Sequence, residues 1–361
     1  MEEKGKKKRM DISLLLIVFL LVVIGLVILY STSSYNGQVK FHDSFYYLKK
    51  QAFATALGVV LMLLVAGMDY HIWQRMAVFG YLAAVALSIA VMLFGREING
   101  SKRWLALGPF SFQPSEFAKV ALILFLADLV TKNVKTIGKM WTLCRIMFWI
   151  LPIVGLVGAS NLSTAIIILG IGVILIFVAS PKYAQFVWMG IAGAGFMGIF
   201  LALESYRLER LAIWRNPEKY EKGYQTLQGL YAIGSGGVFG VGLGNSVQKL
   251  GFVPEAQNDM IFSIICEELG LAGSVLIVLL FLMLIWRFFL IASECRDLFG
   301  ALIATGAMAH MMIQVILNIA VVTNTIPNTG ITLPFISYGG TSVMFLLIEM
   351  GLVLSVSQVV D

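Results

Sequence analysis

Three carboxylates stand at the start of a long apolar stretch, in the segment PEAQNDMIFSIICEELG at residues 254–270: Asp259, Glu267 and Glu268. Ionisable groups in apolar surroundings are costly, so by default they mark a functional site. If a helix begins near Asn258, Asp259 lies at the membrane surface and the glutamates lie on the order of 12–14 Å deeper, at 1.5 Å per residue. The alternative for Asp259 is a first-turn carboxylate that complements the helix dipole behind an Asn258 cap.

A second group of charged residues lies in NGSKRWLALGPFSFQPSEFAK, at residues 99–119. Pro114 suits the first turn of a helix, which places Glu116 and Lys119 three residues apart, one turn into the next apolar run. Because an unpaired ammonium is costly at that depth, Lys119 is expected to pair with a carboxylate. The candidate partners are Glu116, Glu267 and Glu268. Such a pair is either an inert tie between two helices or part of a substrate site.

Arg103 and Lys249 are two further cations suited to an anionic ligand. Arg103 has fork-shaped donors that bind phosphate well, although beside Trp104 it also suits an interface anchor. Lys249 follows a run with six glycines between residues 234 and 244, which allows a backbone to approach a ligand closely. That run matches neither GxxxxGKS/T nor a GxGxxG set between a strand and a helix, so nucleotide binding is not indicated. It also suits a re-entrant loop packed between spans.

A third irregular segment, TNTIPNTGITLPFISYGGTS at residues 323–342, interrupts an apolar region with prolines, glycines and hydroxyl groups. Its apolar residues indicate that it dips into the helical bundle, and the alternative is a structured cap on one face.

The elements that must position these residues are membrane helices. Of 361 residues, 59% are hydrophobic and 13% are charged, and the mean hydropathy is +0.89, which excludes a soluble domain of this size. The pattern predicts an all-α polytopic membrane protein of about ten helices, with no strands, because the ten-residue alternation of a barrel is absent. The predicted spans are 12–31, 50–67, 73–95, 115–131, 144–159, 162–180, 183–203, 259–291, 300–323 and 341–359.

Composition also excludes several classes of function. The three cysteines, at positions 144, 266 and 295, show no metal-ligand spacing, so neither a disulfide framework nor a zinc site is expected. The formal net charge of +6 comes from Lys and Arg clusters beside the spans. Anionic headgroups or anionic lipid-linked substrates are the natural partners of such clusters, and nucleic acid is not expected.

The chain divides into a basic tail, residues 1–11, and a single membrane domain, residues 12–361, with a long loop at 204–258 between helices 7 and 8. Basic residues are almost evenly shared between the two sides, so the dense amino-terminal cluster decides the orientation. Both termini are predicted to be cytoplasmic in a multi-pass protein of the cytoplasmic membrane. The loops 96–114, 204–258 and 324–340 are then extracytoplasmic.

The irregular segments together resemble the signature blocks of a known family. NGSKRW…GPFSFQPSEFAK, AIGSGG…GVGLGNSVQKL…PEAQND…EELG and TGITLPFISYGGTS are similar to the SEDS family of shape, elongation, division and sporulation proteins. The likeness covers the chain from Asp11 onward, in order and at matching spacing, and is greater to the FtsW/SpoVE branch than to RodA. It implies a ten-helix membrane glycosyltransferase that polymerises lipid II with a class B penicillin-binding protein, alongside other divisome or sporulation proteins.

The resemblance also implies roles for particular residues. The family's essential aspartate falls on Asp259, and its conserved loop arginine falls on Arg103. The substrate-binding candidates are Arg103, Glu116, Lys119, Gln225, Lys249, Glu255, Glu267, Glu268 and Ser337. This chain departs from the family by having Gln257 and Asn258 where His-Thr is usual, and Ser160 and Asn161 where an acidic block is usual.

Chemistry consistent with these residues is glycosyl transfer. Asp259 would accept the proton of the attacking 4-hydroxyl as general base. Arg103, Lys119 or Lys249 would offset the charge growing on the lipid diphosphate. No cofactor is certain, and a divalent cation at the diphosphate remains open. The alternatives are a lipid II flippase and a non-catalytic scaffold for the transpeptidase.

Overall fold

The computed structural model of the chain describes residues 10–98, 101–107, 110–187, 190, 191, 193, 195 and 211–360. Its helices with defined bounds are α1 (Ile12–Phe41), α2 (Tyr46–Ala66), α3 (His71–Phe94), α4 (Pro114–Asn133), α5 (Met140–Ser160), α6 (Leu162–Ala179), α7 (Tyr224–Ser235), α8 (Ile261–Glu294), α9 (Leu298–Val322) and α10 (Gly340–Ser357). Two 3₁₀ turns, Pro217–Lys219 and Glu221–Gly223, precede α7.

Eight of these helices are long and apolar enough to cross a membrane: α1, α2, α3, α5, α6, α8, α9 and α10. The polytopic all-α membrane fold predicted from the sequence is thereby confirmed. The predicted span 115–131 is the helix α4, whose charged side chains Glu116, Lys119 and Asp128 are nevertheless buried. Most of the predicted span 183–203, and residues 1–9 of the predicted basic tail, lie outside the described residues.

Both ends of the described chain meet at one end of the bundle, here called the tail end. The Asp11 carboxylate pairs with Arg287 of α8, and the Asp11 N–H donates to Ser357 Oγ at 3.2 Å. The Gln358 amide donates to the Ala66 carbonyl at 2.6 Å. The opposite end, here called the site end, carries Asp259 and the loop at 323–339. The amino-terminal and carboxy-terminal helices are therefore anchored together.

A small antiparallel sheet at the site end corrects the prediction that no strands occur. The strands β1 (Arg96–Ile98), β2 (Ser101–Leu107) and β3 (Phe110–Phe112) pair in that order. They are 3, 7 and 3 residues long. The prediction considered only the ten-residue alternation of barrel strands, which strands this short do not show. The Thr341 hydroxyl donates to the Ser111 carbonyl at 2.7 Å and joins the sheet to α10.

The helix α8 is broken at Gly270, whose φ of 65° and ψ of −165° are not helical. The glycine-rich loop supplies the hydrogen bonds that the break removes. The N–H groups of Val241 and Gly242 donate to the carbonyls of Glu267 and Glu268, at 2.9 and 3.0 Å. In return, the N–H groups of residues 271 and 272 donate to the carbonyls of residues 237 and 238, at 2.9 and 3.0 Å. These four bonds pair backbone groups that the break deprives of helical partners, as non-helical backbone at membrane depth requires.

The break bears on the predicted depth of the two glutamates, because that prediction assumed one straight helix. Glu268 contacts Ser31 of α1, whereas Gln257, two residues before Asp259, contacts Asn36 of the same helix. These contacts are five residues apart, so Glu268 meets α1 about 7 Å closer to the tail end, at 1.5 Å per residue. The glutamates therefore lie deeper than the turn that carries Asp259, and the depth of 12–14 Å stays a prediction.

Candidate active site

Asp259 lies in the turn before α8, which begins at Ile261. The N-cap residue Met260 makes no side-chain capping bond, and the Asn258 amide donates to Glu255 Oε2 at 2.7 Å instead of capping the helix. The backbone N–H groups of Asp259 and Met260 lie near the Asp259 carboxylate. Asn258 therefore does not cap α8, and Asp259 lies just before the helix and not in its first turn; whether it complements the helix dipole stays a hypothesis.

The electrostatic setting of Asp259 makes it a stronger proton acceptor than an ordinary aspartate. Burial raises the pKa of its carboxyl to about 6, and the neighbouring Glu255 carboxylate acts in the same direction. The two backbone N–H groups oppose that rise. A carboxylate with this pKa is ionised at neutral pH and is matched to general-base catalysis near that pH.

The loop at 323–339 closes over Asp259. A Cβ placed on Gly330 would lie 3.9 Å from Asp259 Oδ2, and the φ of Gly330 is 69°, which favours glycine. The Ser163 hydroxyl at the start of α6 donates to the Thr329 carbonyl at 2.8 Å. Asp259 thus meets backbone from this loop at a point held by α6.

Two predicted site residues, Gln225 and Glu255, lie beside Asp259. The Gln225 amide donates to the Pro254 carbonyl at 3.1 Å and accepts from Asn328 at 3.2 Å, so it bridges the two segments that flank Asp259. Glu255 has a φ of 51°, an uncommon left-handed conformation for a side-chain-bearing residue. Its carboxylate is 3.6 Å from the Lys40 ammonium, and such backbone conformations cluster at functional sites.

The residues at which this chain departs from the family hold the turn in place. The Gln257 side-chain oxygen accepts from Asn36 of α1 at 3.0 Å, and its carbonyl accepts from the Tyr338 N–H at 2.9 Å. Asn258 fixes the Glu255 carboxylate, as described above. Neither amide titrates, so in this chain both positions serve to fix the backbone before Asp259.

Arg103 reaches the site end from strand β2. Its Nε donates to the Ser160 carbonyl at 2.9 Å, and it lines a small cavity with Pro114, Ser115 and Asn161. Asn161 caps α6 by accepting from the Thr164 N–H at 3.3 Å. Arg103 thus bonds to the last residue of α5 and shares a cavity with the N-cap of α6, whose Ser163 contacts the loop over Asp259. A helix amino terminus and a guanidinium side by side favour an anionic group.

Lys119 has the carboxylate partner that its depth requires. Its ammonium lies 3.0 Å from Glu116 Oε1 and donates to Gln314 Oε1 at 3.2 Å. Lys119 is 2% exposed. The prediction of a buried ion pair is confirmed with Glu116 as the partner. Of the other two candidates, Glu267 and Glu268, neither contacts it, because both lie in a different cluster.

That second cluster joins the long loop to α1 and α8. Glu268 Oε1 accepts from the Lys249 ammonium at 2.6 Å and from the Ser31 hydroxyl at 2.7 Å. Glu267 accepts from the Val247 N–H at 3.0 Å and from the Ser246 hydroxyl. Lys249 is 4% exposed, so a diphosphate would have to displace Glu268 to reach it. The geometry favours a structural role for Lys249, Glu267 and Glu268 over the substrate role expected from the sequence.

Ser337 is buried and bonds within its own loop. Its hydroxyl accepts from the Leu333 N–H at 2.8 Å, and its N–H donates to the Leu333 carbonyl at 3.0 Å. The residue therefore closes a turn of the loop at 323–339, and its expected contact with substrate finds no support in this position.

Sequence reasoning missed a polar row on one face of α9, formed by His310, Gln314 and Asn318. The His310 ring bonds to Glu349 Oε2 of α10 through Nδ1 and to Gln314 Oε1 through Nε2, both at 2.8 Å. All four side chains are at most 2% exposed. The signal that reveals this row is the spacing of four residues, repeated twice within an apolar helix.

No group of three or more His, Cys, Asp or Glu side chains that could hold a metal ion occurs in the part of the chain that the structure describes. The predicted divalent cation stays a prediction.

The FTSW_RODA_SPOVE family model, described as "Cell cycle protein", matches residues 11–361. The chain is 40% identical to stage V sporulation protein E of Bacillus subtilis, over 98% of both chains. It is 35% identical to the probable peptidoglycan glycosyltransferase FtsW of Trichlorobacter lovleyi, over 96% of this chain and 93% of that protein.

Two solved structures of related proteins have the same fold. A chain of a peptidoglycan synthase complex, studied for the coordination of polymerization and crosslinking, superposes with a TM-score of 0.83 at 30% identity, covering 96% of this chain and 97% of that one. The rod shape determining protein RodA of Thermus thermophilus superposes with a TM-score of 0.71 at 28% identity, covering 96% of both chains.

Proposed function

Because this chain belongs to the FtsW/RodA/SpoVE family, we infer that Asp259 is the general base of its glycosyl-transfer reaction. The protein is a peptidoglycan glycosyltransferase that joins lipid II units into glycan strands and releases the lipid diphosphate. The observation that carries the inference is the Asp259 carboxylate itself, buried at the site end against Gly330 of the covering loop, with a raised pKa.

The roles of the residues follow from their positions. Asp259 accepts the proton of the attacking 4-hydroxyl as the oxygen bonds to the anomeric carbon of the second sugar. The bond from that carbon to the diphosphate breaks, and negative charge grows on the leaving group. Arg103 and the first turn of α6 are placed to offset that charge, which is the largest electrostatic demand of the step. Lys119 contributes indirectly, because its ammonium is already held by Glu116 and Gln314.

A divalent cation fits this site only if the protein and the substrate diphosphate hold it together. Oxygen ligands are what magnesium prefers, and it usually takes one or two carboxylates together with substrate phosphate oxygens. Asp259 and Glu255 would be the residues to hold it, and it would supply charge neutralisation at the diphosphate.

We also propose an orientation in the membrane and a partner protein. The site end faces the extracytoplasmic side of the cytoplasmic membrane, and both termini are cytoplasmic, as the basic amino terminus predicts. The relative in the peptidoglycan synthase complex supports a class B penicillin-binding protein as the partner. Similarity to a sporulation protein and to FtsW proteins supports a role in septum synthesis during division or sporulation.

A polymerisation assay with purified lipid II, with and without the cognate transpeptidase, tests this function. We expect glycan strands from the pair and, at a lower rate or not at all, from the polymerase alone. A flippase would move lipid II across vesicles without making strands. A scaffold would leave polymerisation unchanged when cleft residues are replaced. If the purified protein and its cognate transpeptidase together made no glycan strands from lipid II, the assignment would be contradicted.

A further inference from the structure

The two amides of α9, Gln314 and Asn318, reach the same loop that covers Asp259. They are one turn apart and are 2% and 0% exposed. Asn318 Nδ2 donates to the Asp259 carbonyl at 2.9 Å and to the Ile331 carbonyl at 2.7 Å. Gln314 Nε2 donates to the next carbonyl of the loop, that of Thr332, at 3.0 Å. One helix face thus holds both the catalytic turn and the loop above it.

The chemistry of the partners fixes how each amide is turned. Both acceptors of Asn318 are carbonyl oxygens, so only its nitrogen can face them. Gln314 Oε1 accepts from the Lys119 ammonium and the His310 ring, so its nitrogen must face Thr332. Either amide reversed would place oxygen against oxygen. The orientation is therefore set by the surrounding groups.

Asn318 keeps this contact although it leaves an atom unsatisfied. Its Oδ1 is buried without a hydrogen-bond partner in the described structure. A buried unpaired carbonyl oxygen is unfavourable, and an apolar residue of the same size would avoid it. The amide is therefore better explained by what its nitrogen holds than by packing.

We propose that Asn318 is a positioning residue of the glycosyl-transfer reaction, which fixes the Asp259 backbone against the loop carrying Gly330, with Gln314 supporting the same loop one turn away. The proposal rests on Asp259 being the general base. Without the shared nitrogen, the turn before α8 and the loop separate, and the carboxylate leaves its position against the attacking hydroxyl. A displacement of 1 Å at a reacting group costs on the order of 10²-fold in rate.

The test compares Asn318→Leu with the wild-type protein in complex with its transpeptidase, using purified lipid II. Leucine keeps the volume and removes the unsatisfied oxygen, but it leaves two buried carbonyls without this donor, so the variant is expected to fold with a lower thermal midpoint. We expect kcat to fall by about 10–100-fold with KM within about twofold, because the reacting group and not lipid binding is affected.

The matched control is Gln185→Leu at the tail end. Gln185 is also a buried amide with its nitrogen on a backbone carbonyl, that of Gly138 at 2.8 Å, and with an unpartnered oxygen. The Gln185→Leu variant should leave kcat unchanged. Asn318→Asp is the second variant: it keeps the shape, opposes two carbonyls, and should lose as much kcat.

Wild-type kcat in a folded Asn318→Leu or Asn318→Asp protein overturns the proposal. So does loss of folded protein in both variants, since Asn318 would then be needed for the fold and not for the reaction. Failure of the proposed function is distinguishable, because it would show as polymerisation by an Asp259→Asn protein.

Discussion

Asp259 holds its carboxylate between the backbone of Met260 and the glycine at position 330, where little water reaches it. The same desolvation that raises its pKa to about 6 makes it a better base than an exposed aspartate. At the scale of single residues, the site therefore depends on placing one buried carboxylate beside the carboxylate of Glu255.

The pH dependence of polymerisation follows from that pKa. A general base must be deprotonated, so the rate should rise about tenfold per pH unit below 6 and level off above it. Measuring kcat/KM between pH 5 and 8 with the purified complex checks this. The residual rate of Asp259→Asn should lack the acid limb. A flat profile across pH 6 in the wild-type protein would show that a different group takes the proton.

Lys119 gives a prediction about stability at the same scale. Losing one partner of a buried pair typically costs about 3–5 kcal/mol, so Lys119→Met should reduce both folded protein in the membrane and activity. The double variant Lys119→Met with Glu116→Leu should recover part of the stability, because no carboxylate is then left unpaired. The measurement is the thermal midpoint of each purified protein. An unchanged midpoint in Lys119→Met would rule out a structural pair.

At the scale of elements, the break in α8 and the glycine-rich loop form one unit. A Cβ on Gly240 would lie 2.1 Å from the Glu268 carbonyl oxygen, and the φ of Gly240 is 77°. Without a glycine there, the loop cannot dock into the break, and the cluster of Lys249 and Glu268 loses its support. The first turns of α8, which place Asp259, depend on that docking.

Gly240→Ala tests this dependence. The left-handed backbone alone should cost about 1–2 kcal/mol, and the clash adds to it, so the thermal midpoint and the polymerisation rate should fall together. Gly234→Ala is the control, since a Cβ there meets nothing within 4 Å. Equal midpoints for the two variants would mean that the loop is not docked as described.

At the scale of the whole molecule, the sequence predicted what depends on local pattern. Long apolar runs placed α2, α3, α6 and α9 to within a few residues, and the spacing of Glu116 and Lys119 anticipated their pair. It did not predict that α1 extends to Phe41, ten residues beyond the predicted end. The break at Gly270 was missed too, because a glycine adopts that backbone only when another segment docks against it.

The features of the site also divide into those that the sequence predicted and those that it did not. The position of Asp259 and Arg103 at one end of the bundle followed from the resemblance and the order of the spans. The partner of Lys249 and the row of His310, Gln314 and Asn318 did not, since each depends on which helices pack together. Side-chain partners across distant segments are a tertiary property that periodicity does not encode.

The orientation of the molecule carries a prediction of its own. Ser235, exposed at the end of α7, should lie outside the cell if the basic amino terminus is inside. A Ser235→Cys protein in a background with the native cysteines replaced should react with an impermeant maleimide in intact cells. A cysteine introduced at Arg296, in the turn after α8, should react only after permeabilisation. The reverse pattern would invert the proposed topology.

The central claim is that Asp259 takes the proton in glycosyl transfer, and Asp259→Asn tests it most directly. Asparagine keeps the size of the side chain and removes its basicity, so expression and binding to the transpeptidase should be normal. Polymerisation of purified lipid II should fall by about two orders of magnitude or more, the usual contribution of a general base. A near wild-type rate in this variant would contradict the account, and Glu255 would be the next carboxylate to test.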